Sequence, residues 1–358
     1  MAANPKFAAE DAVRHLENFV VTSSDPSKRV KYRLFRLIGA GAFGTVYTCD
    51  CEETCRPRYA CKVIVKNRLN PKGLDNLRHE VEVLRAVQYE SLNNVLVYQD
   101  LLETKEYVCI ITRYMEGGAL FDKIVKCGRF SEADARRILL QVLRGIGYLH
   151  ANGICHRDIK PENLLCSGEE ENFEVLIGDF GFSKFYREEI MSTLVGSSYY
   201  AAPEVLQQKG KYSMSCDIWS FGIVAFILLT GFHPFNDPGP HPNPDHIPTN
   251  VCSEAFEYDR SKMVNLTPSA QNFLTKLLQR DPANRPTAES LLMSDEWLNT
   301  SDAEPSVDLT PALPFIQNYS SLSSPGTTST CMVTDQDLLS PDPFQDQGDD
   351  FSFHASFF

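Results

Sequence analysis

The stretch that decides the fold reads His156-Arg157-Asp158-Ile159-Lys160-Pro161-Glu162-Asn163, and it is followed by Asp179-Phe180-Gly181 and by Ala202-Pro203-Glu204. Asp158 can accept the proton of a hydroxyl group, and Asn163 can hold a metal ion through its amide oxygen. Asp179 can bridge a metal ion to phosphate groups. Phosphoryl transfer needs this division of roles, because positioning and charge neutralisation supply most of its catalysis. The order and spacing of these residues therefore indicate chemistry on phosphate groups.

A glycine-rich stretch, Gly39-Ala40-Gly41-Ala42-Phe43-Gly44-Thr45-Val46, lies nearer the N-terminus. Glycines at this spacing let a backbone turn approach phosphate oxygens with its amides pointing inward. The same spacing opens dinucleotide-binding folds, but strand patterns flank it on both sides and no helix follows Gly44. Taken alone, a plain hairpin turn explains the stretch about as well as phosphate binding does.

The segment Tyr59-Ala60-Cys61-Lys62-Val63 is a predicted strand. Alternation places Ala60 and Lys62 on the same face, so a cation stands beside a small residue that a flat base can contact. A lone Lys in a strand is usually solvated. Glu80, on a helix predicted from about Leu74 to Val87, would pair with Lys62 and hold it on phosphate groups.

Together these motifs resemble those of the eukaryotic protein kinases, from roughly Val30 to Leu298. The resemblance implies an α+β fold with two lobes, in which a small antiparallel-sheet N-lobe with one main helix precedes a larger helical C-lobe. The predicted boundaries are an N-terminal extension at 1–30, a kinase domain at 31–299 (N-lobe about 31–112, hinge 113–115, C-lobe 116–299) and an acidic, Ser- and Pro-rich disordered tail at 300–358.

The resemblance also implies ATP and Mg²⁺ as cofactors and a role for each site residue. The catalytic residues would be Asp158 as base, Lys160 at the γ-phosphate, and Lys62 with its partner Glu80 at the α- and β-phosphates. The nucleotide would contact Gly39, Ala40, Gly41, Gly44, Val46, Ala60, Lys62, Thr112, Met115 and Leu165. Mg²⁺ would be held by Asn163 and Asp179. Structural roles would fall to Glu204, paired with Arg285, and to Asp217, which would anchor the catalytic loop.

Finer motifs indicate the class of kinase. Lys160 inside its Lys-Pro-Glu-Asn run is typical of kinases that act on Ser and Thr, and Phe182 implies a preference for Ser. The segments similar to the calcium/calmodulin-dependent group are Gly118 to Asp122, Gly181 to Lys184, Gly196 to Tyr200 and Ser213 to Trp219. The implied function is a protein serine/threonine kinase that transfers the γ-phosphate of ATP to protein hydroxyl groups.

Two other functions share part of this sequence pattern. A pseudokinase scaffold would bind nucleotide or partners without catalysis, but the complete catalytic set is present: Lys62, Glu80, Asp158, Asn163 and Asp179. A kinase acting on small molecules would share the phosphate chemistry. It is disfavoured by Ala202-Pro203-Glu204 and the extended segment before it, which form a peptide platform in protein kinases.

The chain departs from the calcium/calmodulin-dependent group at positions that bear on substrates. Position 119 is Ala, where the group usually has a Glu that contacts a basic residue three before the acceptor. Glu162, the other usual partner of that basic residue, is kept, so weakened selection for upstream Arg is expected. Ser197 replaces a usual Thr. Alternate prolines between Phe235 and Asn250 are expected to prevent the usual short helix; a remodelled docking surface and an insertion without a role are equally compatible with them.

Regulation is partly readable. Arg157 before Asp158 marks kinases in which a basic pocket receives a phosphorylated activation segment. An upstream kinase would act on Thr193 or Ser192, with Thr193 slightly favoured, unless acidic residues already supply the charge. In the tail, proline-directed acceptors would be Thr310, Ser324 and Ser340, and the phenylalanines from Phe351 to Phe358 would either dock into a groove or have no role.

Charge and composition set further expectations. The net charge is −13, and residues 301–358 contribute nine acidic residues and no Lys or Arg. An acidic chain has no electrostatic reason to bind nucleic acid or an anionic membrane. No apolar run of about 18 residues predicts a membrane span, and no apolar signal segment is visible. We expect an intracellular protein, cytoplasmic and/or nuclear.

Calcium and zinc are not expected to act on this chain directly. After Leu298 there is neither an EF-hand loop nor a basic amphipathic helix of the kind that calmodulin binds. The chain has eleven cysteines. Four of them, Cys49, Cys51, Cys55 and Cys61, form an array that matches no common zinc pattern, so reduced thiols are favoured over a zinc site.

Overall fold

The computed structural model describes residues 20–22, 30–41, 44–51, 58–87, 94–104, 106–168, 172–185, 198–207, 213–237, 243–301 and 306–322. The chain divides into two compact units. The described residues of the first unit lie between 20 and 85 and between 97 and 114, and those of the second lie between 86 and 96 and between 115 and 322. The first unit is rich in strands and the second in helices, which is the order of lobes that the sequence predicts.

The first unit is built on a six-stranded antiparallel sheet of order β1-β2-β3-β4-β6-β5. Its strands are β1 Val20–Thr22, β2 Lys31–Gly41, β3 Gly44–Cys51, β4 Tyr59–Val65, β5 Tyr98–Glu103 and β6 Tyr107–Arg113. Successive side chains of a strand point to opposite faces. One face carries the buried side chains of Tyr47, Cys61 and Ile111, while Val46 and Lys62 on the other face are only half-buried.

One helix accompanies this sheet, α1 at Pro71–Ala86. It begins with a proline, which suits the first helical position because the amide there needs no partner within the helix. Leu77, Val81 and Leu84 are buried, which is the apolar stripe that the sequence predicts. The same spacing leaves Glu80 one position before Val81, so the helix carries a carboxylate at the edge of its buried face.

The second unit is mostly helical, with two small sheets. Its helices are α2 Leu120–Cys127, α3 Glu132–Ala151, α4 Pro203–Leu206, α5 Ser215–Thr230, α6 Ile247–Cys252, α7 Pro268–Leu277, α8 Ala288–Ser294 and α9 Leu313–Leu322. Its strands are β7 Gly118–Ala119, β8 Ile154–Cys155, β9 Leu164–Cys166, β10 Val175–Ile177 and β11 Lys184–Phe185, paired as β10-β9-β7 and β11-β8. Helix α5 is buried along nearly its whole length, as expected for a helix that is apolar on all sides.

Ser131 followed three residues later by Asp134 predicts a capping-box-like start for α3, and the structure confirms it at the level of single atoms. The Ser131 hydroxyl accepts a hydrogen bond from the Asp134 amide, and the Asp134 carboxylate accepts one from the Ser131 amide. This reciprocal capping box satisfies two of the amides that a helix N-terminus otherwise leaves unpaired. Asp serves in place of the usual Glu. The cap fixes where the long helix before the catalytic loop begins.

The prediction of a disordered tail from residue 300 is wrong for residues 306–322, which we call the C-terminal strap. The Leu309 amide donates to the Phe130 carbonyl (2.8 Å), and the Glu132 amide donates to the Val307 carbonyl (2.9 Å). The strap ends in α9, and its buried side chains are Leu309, Ala312, Leu313 and Ile316. An apolar surface on the second unit covers this segment, so it does not have to order itself alone. Residues 323–358 lie outside the described residues.

Two smaller expectations are also corrected. The segment with alternate prolines does contain a short helix, α6, preceded by a 3₁₀ turn at Pro244–His246. Pro244 and Pro248 each lie in the first turn of their element, where the missing amide is not needed. Nearer the N-terminus, the pattern from Ala8 to Val21 is compatible with one short amphipathic helix, but Val20 and Val21 belong to strand β1. The rest of that segment lies outside the described residues.

No helix among the described residues is long and apolar enough to cross a membrane. The cysteine array is partly visible: Cys49 and Cys61 are free thiols buried in the core of the first unit, whereas Cys55 is not among the described residues. Within the described part of the chain, the cluster closest to a metal-ligand set is Cys155, Cys216 and Asp217. Both Asp217 oxygens already accept hydrogen bonds from protein groups, so we assign no structural metal there.

Candidate active site

One face of the six-stranded sheet gathers the predicted nucleotide contacts of the first unit. The register of β3, β4 and β6 places Val46 opposite Lys62, and Ala60 opposite Thr112. Directly paired residues of neighbouring strands share a face, so these four side chains lie on the same side of the sheet. Gly39 pairs with Val46 and extends the set by one strand.

The glycine-rich stretch forms the hairpin between β2 and β3. Gly41 pairs with Gly44, and Ala40 pairs with Thr45. Gly44 has a φ of +138°, and a Cβ there would lie 2.3 Å from the carbonyl oxygen of Val63. Any other residue at position 44 would therefore collide with strand β4. The tip of the hairpin, Ala42 and Phe43, lies outside the described residues.

The predicted contact between Lys62 and Glu80 is present. Lys62 Nζ lies 2.7 Å from Glu80 Oε1, with the lysine side chain 19% exposed and the glutamate side chain 5% exposed. The pair joins strand β4 to helix α1. Because Glu80 is buried, its charge would be costly without a cation beside it. The ion pair thus holds the ammonium group on the face of the sheet that carries Val46 and Ala60.

In the second unit, a buried carboxylate organises the catalytic loop. Asp217 of α5 accepts hydrogen bonds from the amides of His156 (2.9 Å) and Arg157 (2.8 Å), as the sequence predicts. His150 Nε2 lies 2.9 Å from the same carboxylate, a contact that sequence reasoning missed. Although burial acts to raise it, the hydrogen bond and charge of His150 and the hydrogen bond from the Arg157 amide lower the pKa of Asp217. The carboxylate is held in its ionised form.

This anchoring matters because the loop is strained. Arg157 has a φ of +68°, in the left-handed region that residues with a side chain rarely adopt. Its amide is bound by Asp217, and its guanidinium donates to the Phe182 carbonyl. The imidazole of His156 bridges the loop to Gly178: Nε2 donates to the Gly178 carbonyl (3.0 Å) and Nδ1 accepts from the Asp158 amide (3.3 Å). These bonds define a neutral His156 with its proton on Nε2.

Three predicted site residues meet at one carboxylate oxygen. Asp158 Oδ2 accepts from Lys160 Nζ (2.8 Å) and from Asn163 Nδ2 (2.8 Å). Asn163 Nδ2 also donates to the Asp158 carbonyl (2.8 Å). Burial works against the charged form of Lys160, but the carboxylates of Asp158, Glu162 and Asp179 outweigh it and raise its pKa. Lys160 is therefore an ammonium group, and the Asp158 carboxylate is fixed in orientation from two sides.

A backbone hydrogen bond connects the segment that carries Asp179 to the loop that carries Asp158 and Asn163. The Gly178 amide donates to the Asn163 carbonyl (2.8 Å), which ties the residue before Asp179 to the end of the catalytic loop. Asp179 itself is exposed and has a φ of +57°. A strained, exposed aspartate beside a rigid loop is the kind of conformation that proteins retain at functional sites. The neighbouring Phe180 is buried with its ring edge-on to His156.

The hinge residue Met115 and Leu165 of β9 pack together in a small apolar cluster with Leu96 and Leu176. This brings together the two nucleotide contacts that were predicted in the second unit. Residues 97–114, which end directly before Met115, belong to the first unit, where the Tyr114 amide donates to the Arg58 carbonyl (2.9 Å).

The predicted pair between Glu204 and Arg285 is also present. Nη1 of Arg285 lies 2.7 Å from Oε1 of Glu204, and Nη2 lies 2.7 Å from Oε2. Arg285 also donates to three backbone carbonyls, those of Ser215, Gln279 and Arg280. Its guanidinium lies 5.0 Å from the ring centroid of Trp219. The predicted activation sites Ser192 and Thr193, and Ser197, lie outside the described residues.

Comparison with known proteins shows the family to which the chain belongs. Residues 32–298 match the protein kinase domain family. The chain is 36% identical over 275 residues to calcium/calmodulin-dependent protein kinase type 1 of Caenorhabditis elegans, covering 77% of this chain and 76% of that protein. It is 36% identical to myosin light chain kinase A of Dictyostelium discoideum, covering 77% and 91% of the two chains, and 34% identical to calcium/calmodulin-dependent protein kinase type I of Schizosaccharomyces pombe, covering 77% and 82%. The chain therefore belongs to the protein kinase domain family and is a protein serine/threonine kinase.

Proposed function

We propose that Asp158 is the base through which this kinase transfers the γ-phosphate of ATP to a Ser or Thr hydroxyl of a protein substrate. The observation that carries the proposal is the pair of donors, Lys160 and Asn163, on a single oxygen of the Asp158 carboxylate. They orient the carboxylate without protonating it. As the substrate oxygen bonds to the γ-phosphorus, its proton passes to Asp158, and the bond from phosphorus to the bridging oxygen breaks to release ADP.

Lys160 would contribute charge at the same place. Its raised pKa keeps it an ammonium group, so it can donate to Asp158 and to the γ-phosphate together. In the first unit, Lys62 would contact the α- and β-phosphates, with Glu80 fixing its position. The shared face of Val46, Ala60 and Thr112 supports adenine binding there, together with Gly39, Ala40, Gly41 and Gly44 near the phosphates and with Met115 and Leu165.

The residues proposed for Mg²⁺ fit the ion chemically. Nδ2 of Asn163 donates to the Asp158 carbonyl and to the Asp158 carboxylate, so the oxygen of this amide can act as a ligand. Asp179 supplies an exposed carboxylate. Hard oxygen ligands are those that Mg²⁺ prefers. When bound, the ion neutralises phosphate charge.

Substrate selection and regulation follow as further proposals. Glu162 is kept while Ala119 carries no charge, so residual selection for Arg three residues before the acceptor is proposed. Activation by phosphorylation of Thr193 or Ser192, the absence of calmodulin stimulation, and an intracellular location, cytoplasmic or nuclear, stay predictions from the sequence. So does the absence of nucleic-acid and membrane partners.

The decisive experiment supplies the purified chain with γ-labelled ATP, Mg²⁺ and an array of Ser and Thr peptides. Label is expected on peptides with Mg²⁺ or Mn²⁺ and is expected to vanish in excess EDTA. Addition of calcium and calmodulin is expected to leave the rate unchanged. A pseudokinase would bind ATP without labelling any peptide, and unchanged labelling in EDTA would contradict the metal assignment.

A further inference from the structure

The C-terminal strap ends beside the segment that leads into Ala202-Pro203-Glu204. Tyr319, in the last turns of α9, is partly buried, and its hydroxyl oxygen accepts a hydrogen bond from the backbone amide of His233 (2.8 Å). His233 follows helix α5 directly, since α5 ends at Thr230 and Gly231 caps it in a left-handed conformation. The strap therefore contacts the turn after the central helix of the second unit.

The side chain of His233 forms a hydrogen bond with the backbone of Tyr199. Its ring is 4% exposed, and Nε2 lies 2.9 Å from the carbonyl oxygen of Tyr199. Nδ1 accepts a hydrogen bond from the amide of Phe235 (3.1 Å). A carbonyl oxygen can only accept, so Nε2 carries the proton and Nδ1 does not. Burial lowers the pKa of His233 to about 4, so the neutral form is present at physiological pH.

The segment that receives this bond is held at several points. Ser220 of α5 donates to the carbonyl of Tyr200 (2.8 Å), one residue after Tyr199. Burial first, and then the charge and hydrogen bond of Asp245, raise the pKa of the Tyr199 hydroxyl. Asp245 lies in the 3₁₀ turn of the proline-rich segment. The backbone of residues 199 and 200 is thus tied to α5 and, through His233, to the strap, while the Tyr199 side chain interacts with the proline-rich segment.

We propose that Tyr319 and His233 are positioning residues for the protein substrate, which set the backbone of Tyr199 through a continuous chain of hydrogen bonds from the strap. The inference rests on the proposed function, in which the segment before Ala202-Pro203-Glu204 is the platform for the acceptor peptide. Neither residue touches the reacting atoms. Their loss is therefore expected to change peptide recognition and to leave the handling of ATP intact.

The test compares the full chain with its Tyr319→Phe variant, which removes only the hydroxyl group. We expect KM for a peptide substrate to rise about two- to tenfold, the size of effect expected when the neutral hydrogen bond from the His233 amide is lost. KM for ATP and the rate of ATP hydrolysis with water as acceptor should stay at their wild-type values. Tyr258→Phe is the matched control, because Tyr258 packs against Phe235 in the same region without belonging to the chain of hydrogen bonds.

A second pair of variants tests His233 by conservative rescue. The amide nitrogen of Gln reaches about as far as Nε2 of His and keeps a donor for the Tyr199 carbonyl. His233→Gln is expected to keep most of the peptide affinity, whereas His233→Leu should lose at least as much as Tyr319→Phe. Melting temperatures of all variants are measured alongside.

Three outcomes would overturn the inference: an unchanged KM for peptide in Tyr319→Phe, a parallel fall of ATP hydrolysis, peptide phosphorylation and melting temperature, or a faster peptide reaction. The second outcome would mean a purely structural role, and the third would mean that the strap restrains the enzyme. Failure of the proposed function looks different, because the wild-type chain itself would then label no peptide.

Discussion

Two ion pairs of similar length occupy very different surroundings. Lys62 and Glu80 in the first unit meet at 2.7 Å, and the lysine side chain stays 19% exposed. Arg285 and Glu204 in the second unit also meet at 2.7 Å, but the arginine side chain is fully buried. Its guanidinium is surrounded by two carboxylate oxygens, three carbonyls and an indole ring.

The difference teaches how to separate charges that hold the fold from charges that act on a ligand. Arg285 has at most five donors, and protein oxygens receive bonds from all three of its nitrogens, so its charge serves the protein itself. The Lys62 side chain stays 19% exposed on the sheet face with Val46 and Ala60. Mutation of the pair of Lys62 with Glu80 should therefore affect the catalytic rate, and mutation of the pair of Arg285 with Glu204 should affect stability.

Mutation of Asp158 should give the largest effect on the catalytic rate. It also tests the distinction between the two kinds of charge most strictly, because Asp158 is buried and yet is proposed to act in catalysis. Asp158→Asn keeps the size of the side chain but removes the base. We expect kcat to fall by about 10²- to 10⁴-fold, with the melting temperature little changed. Single-turnover phosphorylation of a peptide measures the rate.

Asp75→Asn is the control for that prediction, since Asp75 forms an exposed pair with Arg78 in helix α1. It should keep the wild-type rate. A near-normal rate in purified Asp158→Asn would remove Asp158 from the role of base and leave the carboxylate as a structural acceptor for Lys160 and Asn163.

Arg285→Met removes the ion pair with Glu204 and should lower the free energy of unfolding. Removing one partner leaves the Glu204 carboxylate without its main cation, which typically costs about 3–5 kcal/mol of unfolding free energy. Urea unfolding measures the change. The exposed pair of Arg137 with Asp134 supplies the control: Arg137→Met should change stability by less than about 1 kcal/mol. Equal losses in the two variants would show that burial does not distinguish these pairs.

Lys62→Met should lower the rate of the folded enzyme, in addition to the stability lost when the buried Glu80 carboxylate is left without its cation. Loss of one positioned charge at a phosphate is expected to lower kcat/KM by about 10²- to 10³-fold. Lys66→Met is a matched control, because Lys66 lies just beyond β4, is also 19% exposed and pairs with Glu103. If Lys66→Met lowered the rate as much as Lys62→Met, the sheet as a whole, and not the position of one ammonium group, would be responsible.

The parts of the fold that sequence reasoning predicted correctly depend on local patterns or on motifs of high specificity. The cap of α3 at Ser131 is a local pattern within four residues. The contacts of Lys62 with Glu80 and of Asp217 with the loop followed from the resemblance and are present. The roles of these residues in catalysis stay predictions.

The missed parts depend on contacts between distant residues. His150 lies 67 residues from Asp217, and no local pattern marks it as a partner. The strap was missed because the average composition of 300–358 hides a short apolar stripe at Leu309, Leu313 and Ile316, whose spacing suits a helix. What orders it is a surface formed near Phe130, about 180 residues earlier. The prediction that prolines prevent a helix at α6 was wrong, because a proline in the first turn of a helix needs no amide partner there.

The smallest expected effect concerns selection among substrates. It tests whether a charge added at position 119, which is now Ala, would act on the substrate. Ala119 lies in β7 opposite Leu165, beside the loop that carries Glu162. A charge-assisted contact between Arg and a carboxylate is commonly worth about 1.5–3 kcal/mol. Ala119→Glu should therefore raise the preference for Arg over Ala, three residues before the acceptor, about tenfold or more.

The measurement is kcat/KM for two peptides that differ only at that position, with each enzyme. Ala119→Gln is the control, because it adds the same length of side chain without a charge and should leave the ratio near the wild-type value. Since Glu162 is kept, the wild-type chain should already show a modest preference. If wild type discriminates strongly and Ala119→Glu changes nothing, another carboxylate already fills this role. If Ala119→Gln raises the ratio as much as Ala119→Glu does, packing and not charge sets the preference.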